Sequence, residues 1–300
     1  MRKCYIITAH NVSKTLAWTI EYLSSFQENT ILIHYDKKSN IDELLVLIKD
    51  FDNVFAIKER VNVSWGRFSQ VEATLLLLSA SMQYSYEYLF FISGEDIPAM
   101  NNSDVNTFLE SNYGQEFIHF QDERNTYVDP FLRVFIKYPS FYFIRHPSFF
   151  NRVLRKLMRP LLPCFFRNEL LQSLMEKKVL VNFYKGTNWF TLTRACIIWI
   201  LDYIERNPSL LVSFGRSIFI DEVFFHSIIA LNKNLIIYDD KTKINNALRY
   251  IDWKSGPQYP RLLNLNDFDA ISRSQVFFAR KINHSVMSES EFEFFKKLVM

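Results

Sequence analysis

The stretch that decides the fold is Tyr88-Leu-Phe-Phe-Ile-Ser-Gly-Glu-Asp-Ile-Pro98. Its first five residues are apolar without interruption, and Ser93-Gly94 closes the run. A short run of this kind suits a strand buried on both faces. Such a strand needs helices above and below it, and the flanking sequence supplies them. Upstream, Tyr5-Ile-Ile-Thr8, Ile31-Leu-Ile-His-Tyr35 and Val54-Phe-Ala-Ile57 read as strands, with helix-period segments at 13–26 and about 42–49 between them. Phe68, Val71, Leu75, Leu78 and Met82 place a long helix just before the deciding strand. Ser69-Gln-Val-Glu72 has capping-box spacing, so that helix starts at either Ser64 or Ser69. Downstream, the run 188–192 precedes a helix at 193–206, a helix at 221–231 precedes a strand at 235–238, and the run 249–253, a turn at Gly256-Pro257 and a strand at 276–279 follow. Strands alternating with helices predict an α/β fold with a mostly parallel central sheet flanked by helices.

Ligands of such sheets bind beyond the carboxyl ends of the strands. Thr8-Ala9-His10, Asp36-Lys37-Lys38 and residues 93–98 should therefore share one rim. The chain has 300 residues but only six Gly, and it carries no G-x-G-x-x-G or P-loop run. Hydride-transfer cofactors and P-loop phosphate chemistry are poor fits. With 49% hydrophobic and 22% charged residues, and a mean hydropathy of −0.05, the composition is globular. No run of about 18 apolar residues is present to span a membrane. Met1-Arg-Lys-Cys4 enters the first strand without a signal-peptide core. Cys4, Cys164 and Cys196 are odd in number and widely spaced, which excludes a disulfide framework and a Cys-cluster metal site and fits a reducing compartment. The remaining histidines show no zinc-type pairing. A net charge of +3 is too mild to argue for nucleic acid.

One segment differs in composition. Residues 131–167 hold eight Lys/Arg, ten aromatics and no Asp or Glu, so without those eight cations the chain's +3 would be −5. Two readings stand together: a basic face on the acceptor side, and a membrane-surface element whose cations and rings suit anionic headgroups.

Several clusters occur in a particular order. They are Val63-Ser-Trp-Gly66 with Val71-Glu-Ala-Thr-Leu75, the deciding stretch 88–98, Gly186-Thr-Asn-Trp189 with Leu192-Thr-Arg194, Asp221-Glu222, Arg249-Tyr-Ile-Asp-Trp253 and Phe278-Ala-Arg-Lys281. In this order they resemble the core-2/I-branching β-1,6-N-acetylglucosaminyltransferases and their relatives, the peptide O-xylosyltransferases. The resemblance spans roughly residues 5–281; residues 120–184, which in that family help choose the acceptor, match nothing in it. It implies a GT-A-like fold, a nucleotide-sugar donor and inversion at the anomeric carbon. It also implies one domain over 1–300: a nucleotide-sugar-binding half at 1–120, a variable segment at 121–185, and a half with the catalytic base and diphosphate site at 186–300.

Inverting transfer needs a base to take the proton of the acceptor hydroxyl. Glu222 matches the family's base, the Glu of its Asp-Glu pair, and Asp221 is then the cap or orienting partner; from sequence alone both acids also suit a helix N-terminus. Asp50-Phe-Asp52 and Asp267-Phe-Asp269 have Asp-x-Asp spacing, but one lies between a helix and a strand and the other in a helix near the C-terminus. Ser93-Gly-Glu-Asp96 matches the family's metal-free version, so no metal and no cofactor is expected. Lys281 matches the family's phosphate-binding Lys, Arg261 in Tyr259-Pro-Arg its phosphate-binding Arg, and Asp36 its nucleotide-contacting Asp. Thr8, Ala9, His10 and Lys37 should line the same pocket. Asp96 either holds the donor sugar or closes a turn, and Trp65 and Trp189 are either core or pocket walls.

The resemblance implies transfer of GlcNAc from UDP-GlcNAc to a sugar hydroxyl, with β-1,6 branching and a glycan or lipid-linked glycan as acceptor. UDP-xylose transfer is the alternative within the family. A non-catalytic carbohydrate- or lipid-binding protein is the alternative from another class, against which an intact Glu222, Lys281 and Asp36 speak. A Phe-, Asn- and Lys-rich chain with no anchor suggests a bacterial enzyme of surface-polysaccharide assembly, cytoplasmic or peripheral at the inner face of the membrane.

Overall fold

The computed structural model describes residues 1–144, 146–255, 260–283 and 287–299. The expected turn at Gly256-Pro257 lies outside these residues, as does Tyr259. Ten strands are described: β1 (Lys3–Ala9), β2 (Asn29–Tyr35), β3 (Val54–Ala56), β4 (Tyr88–Ser93), β5 (Ile97–Pro98), β6 (Gln115–Phe120), β7 (Gly186–Thr193), β8 (Ile236–Ile237), β9 (Arg249–Ile251) and β10 (Phe278–Arg280). Seven form one sheet in the order β3-β2-β1-β4-β7-β6-β8, and β5-β10-β9 form a second. In the large sheet only β7 runs against its neighbours β4 and β6. β4 lies at the centre, with every residue but Ser93 buried.

Helices cover both faces, as a sheet buried on both sides requires. They are α1 (Lys14–Ser24), α2 (Ile41–Ile48), α3 (Ser69–Ser81), α4 (Asn102–Ser111), α5 (Pro130–Val134), α6 (Phe149–Met158), α7 (Leu162–Phe165), α8 (Glu169–Glu176), α9 (Arg194–Arg206), α10 (Ser209–Phe214), α11 (Phe224–Ile229), α12 (Phe268–Ser274) and α13 (Glu289–Phe295). One core joins Ile6, Leu89 and Phe91 to residues of α3, α9 and α11. The other joins Tyr5, Ile7 and Phe90 to residues of α1, α2 and α4. Alternate residues of β1 and β4 thus face opposite cores, the period-2 consequence of a central strand. This mostly parallel, helix-flanked sheet is the arrangement expected of a GT-A-like fold.

Two local expectations are corrected. The Ser69–Glu72 capping box does not form: Ser69 Oγ instead accepts from the Ser64 amide at 2.9 Å, and the helix starts at Ser69 without a side-chain cap. The helix expected from Asp221 is a 3-10 turn over Ile220–Glu222 followed by α11. The helix beginning after Thr193 does form, and Thr193 caps it by accepting from the Cys196 amide at 3.1 Å.

Candidate active site

Parallel pairing sets the carboxyl ends of β1, β2 and β4 side by side, with Thr8 opposite both His34 and Ser93. A cleft of about 2120 Å³ opens along this rim. Of the residues singled out by sequence, Thr8, Ala9, His10, Asp36, Trp65, Trp189, Asp221, Glu222 and Lys281 line it.

The acidic pair is held from several sides. Phe219, just ahead of the 3-10 turn, has φ +50, and its amide donates to the Gly66 carbonyl at 2.9 Å. Gly66 itself has φ +70, and a Cβ there would lie 3.0 Å from the Phe219 ring. That position therefore needs glycine twice over, for its left-handed backbone and for its missing side chain. The Trp65 ring packs edge-on against Phe219 at 4.7 Å. Gln70 ties the same loop to the pair: its Oε1 accepts from the Gly66 amide at 2.6 Å and its Nε2 donates to Asp221 Oδ2 at 3.2 Å. Burial, and then the charge of Glu222, push the Asp221 carboxyl up to about 7.

Glu222 is partly exposed to the cleft. Lys185 Nζ stands 3.1 Å from its Oε2 and Arg133 Nη2 stands 3.9 Å away. Both contacts are ionic: Oε2 is buried and receives no aligned hydrogen bond among the described residues, while the side chain as a whole keeps part of its surface open to the cleft. Lys185 is placed by β7, whose first residue, Gly186, sits against the irregular register of β6 opposite Phe120. A Cβ on Gly186 would fall 1.7 Å from the His119 carbonyl oxygen and 2.3 Å from His226 Nε2.

At the strand ends, Asp36 is buried and its Oδ1 accepts from the Lys38 amide at 3.0 Å. Lys38, whose Nζ is 3.4 Å from Asp36 Oδ2, lines the cleft. Lys37 does not: its amide is drawn to the Val61 carbonyl at 3.1 Å and its side chain is exposed outside the cleft.

The two phosphate-site candidates are placed differently. Lys281 lines the cleft with Nζ 2.9 Å from Glu95 Oε2. Arg261 is outside the lining, because its guanidinium is taken up by Asp252 at 2.7 Å and by Asp267. The arginine that lines the cleft beside Lys281 is Arg280, whose guanidinium lies over the Trp189 ring at 4.0 Å. Asp96 is a second correction. It is fully buried and outside the lining, accepts from Ser93, and stands 3.5 Å from Arg280. It closes the turn after β4 and backs Arg280, while burial raises its pKa against the opposing pull of Arg280. Trp189 is both core and wall, since it is buried against Phe91 and shows one face to Arg280.

Sequence reasoning passed over Arg133, Lys185, Gln70 and Arg280. Lys185 and Arg280 adjoin quoted motifs, but a cation's partner is set by tertiary structure, which spacing does not reveal. Of the described residues lining the cleft, ten are Lys or Arg and five are Asp or Glu. Such a surplus favours an anionic ligand. Among the described residues, no three His, Cys, Asp or Glu converge to hold a metal ion. The two Asp-x-Asp runs lie elsewhere: Asp50 and Asp52 in the loop before β3, and Asp267 paired with Arg261 at the start of α12.

A family model for the Core-2/I-Branching enzyme matches residues 4–273. No curated protein matches the chain significantly. Among solved structures, mouse xyloside xylosyltransferase 1 (apo form) is similar at 9% identity and TM-score 0.37, over 92% of this chain and 97% of that one. The 4-diphosphocytidyl-2C-methyl-D-erythritol synthase of Anaerococcus prevotii is similar at 11% identity and TM-score 0.36, over 77% and 98%. TarS of S. aureus is similar at 16% identity and TM-score 0.31 over 45% of this chain, which spans only 24% of the TarS chain. Structural likenesses at these scores carry no weight for function. The family match covers most of the chain and includes the strand-end rim, the acidic pair and Lys185. On that match the chain belongs to the Core-2/I-Branching enzyme family of glycosyltransferases.

Proposed function

We propose that the protein is an inverting glycosyltransferase that moves GlcNAc from UDP-GlcNAc to a sugar hydroxyl with Glu222 as base. One observation carries the reading: Glu222 lies in a cation-rich cleft, ion-paired with Lys185 and Arg133, on a turn clasped by Gly66, Phe219 and Gln70. Glu222 takes the proton of the acceptor hydroxyl. The acceptor oxygen bonds to the anomeric carbon, and the carbon–phosphate oxygen bond breaks, with UDP leaving on its electron pair. The leaving diphosphate is met by Lys281 and Arg280, fixed cations that offset its growing charge without a metal ion. Asp36 receives the base, and Thr8, Ala9 and His10 line the nucleotide pocket. Lys185 and Arg133 hold Glu222 in place. The acceptor is a glycan or lipid-linked glycan of surface polysaccharide or glycoconjugate synthesis, met in the cytoplasm.

The test is Glu222→Gln in the purified protein, read by hydrolysis across a UDP-sugar panel and by UDP binding in the presence of EDTA. Turnover of UDP-GlcNAc is expected to exceed that of UDP-xylose and to fall by about 10²–10⁴-fold in the variant, the usual effect of losing a positioned base. Donor binding should be retained. Near-normal turnover in Glu222→Gln would overturn the role of the base, and strict dependence on Mn²⁺ would overturn the role given to the cations.

A further inference from the structure

We propose that the outward face of α6 docks the protein on an anionic lipid bilayer. Among the described helices of eight or more residues, α6 alone buries none of its own side chains. Phe149, Phe150, Val153 and Leu157 fall on one stripe by helical spacing. They are 83%, 72%, 39% and 66% exposed. Leu161 and Phe165, from the following turn and α7, add two more exposed apolar groups. The helix is held from its other side, where the Tyr142 hydroxyl donates to the Arg155 carbonyl at 2.8 Å and the Arg155 guanidinium donates to the carbonyls of Phe141 and Ile144. A ten-residue helix is marginal in water by itself. Single exposed rings are ordinary, but a stripe of them marks an interaction surface.

The charges choose the occupant. Arg152, Lys156 and Arg159 are exposed on the flank of the stripe, and residues 131–167 contain no acid at all. A protein partner would need an apolar groove bordered by acids. A bilayer with anionic headgroups offers both properties on one flat surface, with the rings entering the acyl boundary and the cations meeting phosphates. Binding therefore has two parts, one that salt screens and one that it does not. The same segment also reaches the active-site cleft, which is lined by Arg133 of α5 and by His146. Docking would set the cleft near the lipid surface, which suits an acceptor carried on a lipid. That last consequence rests on the transferase reading, whereas the docking itself does not.

Flotation of the full chain with vesicles tests it, using phosphatidylcholine alone and phosphatidylcholine with phosphatidylglycerol. Binding is expected only to the anionic vesicles, weakening but not vanishing at high salt. The variant R152E/K156E/R159E should lower the partition coefficient by about 100-fold or more, since each cation near such a surface contributes roughly fivefold. Arg155 is left intact because it holds the loop before α6. F149S/F150S/L157S should abolish the binding that survives salt. Both variants should hydrolyse UDP-sugar like the wild type, since none of these residues belongs to the active site. If the serine variant fails to fold, the charge variant and the salt titration still decide. A wild-type protein that ignores anionic vesicles at low salt would overturn the proposal, as would variants that bind like the wild type. So would a dimer in sedimentation velocity that F149S/F150S/L157S dissolves without any vesicle binding, because a second copy would then cover the face. Absence of UDP-sugar hydrolysis in the wild type would count against the transferase reading and leave the flotation result standing.

Discussion

Residues 3–120 and residues 121–185 use their aromatic side chains in opposite ways. In the first region Tyr5 and Phe90 stack at 4.8 Å, and Phe277 and Phe278 close on Phe90 from the C-terminal part of the chain. All four are at most 3% exposed. In the second region Phe149, Phe150 and Phe165 stand in solvent. Both regions carry many rings, so aromatic content alone does not tell core from surface. Their company does. The rings of 88–92 sit in an unbroken apolar strand with buried neighbours, whereas those of 149–165 share a helix and its continuation with Arg152, Arg155, Lys156 and Arg159.

Stability measurements can break that contrast. The largest loss is expected from Phe90→Ala, about 3–5 kcal/mol for a buried Phe. Denaturant unfolding would read it, and a loss below about 1 kcal/mol would deny that β4 is the centre of the core. Gly186→Ala comes next. Its Cβ must move both the His119 carbonyl and the His226 ring, an overpacking worth about 1–3 kcal/mol. Turnover should fall with it, since Lys185 beside it sets Glu222. A variant as stable and active as the wild type would contradict the close approach of β6 and β7.

The third effect is a slope with pH rather than a loss at one pH. Burial, and then the charge of Glu222, push the Asp221 carboxyl up to about 7, above the usual carboxylate range. An acid whose pKa is raised on folding binds its proton more tightly in the folded state. Its contribution to stability is therefore greatest below about pH 4 and is lost as pH rises to about 7, by at most about 1.4 kcal/mol per pH unit. Asp221→Asn should flatten unfolding free energy across that window, and an unchanged slope would remove Asp221 as its source. The smallest effect belongs to the other region, where Phe149→Ser should change stability by no more than about 0.5 kcal/mol. A loss of several times that would show that α6 packs on the protein after all.

Much of the first region was legible in sequence because its elements are locally consistent. Strand patterns at β1, β2 and β4 predict the shared rim, and the rim forms with Thr8 beside His34 and Ser93. β6 escaped notice because Glu116 and His119 interrupt its apolar pattern. Both are buried, yet Glu116 is satisfied by the Thr193 amide and hydroxyl, and His119 meets Asn125 at 2.7 Å. Polar residues whose partners lie far away in sequence hide a strand. The same cause misplaced Arg261. Nothing local shows that Asp252 and Asp267 converge on it, so Arg280, one residue before Lys281, takes the place in the cleft. In 131–167 composition showed that the segment was different, and only three dimensions separated Arg133 at the cleft from Arg152 on the outer helix.

The clasp between Gly66 and Phe219 has an evolutionary consequence. Two left-handed residues, far apart in the chain, share a hydrogen bond, and the Phe219 ring closes the space in which a side chain at 66 would stand. A side chain at 66 would strike the Phe219 ring, and a smaller residue at 219 would leave Trp65 without its edge contact. Drift at either position is thus epistatic with the other: a substitution tolerated in one background is rejected in another. Descendants of this chain are therefore expected to change these two positions together or not at all.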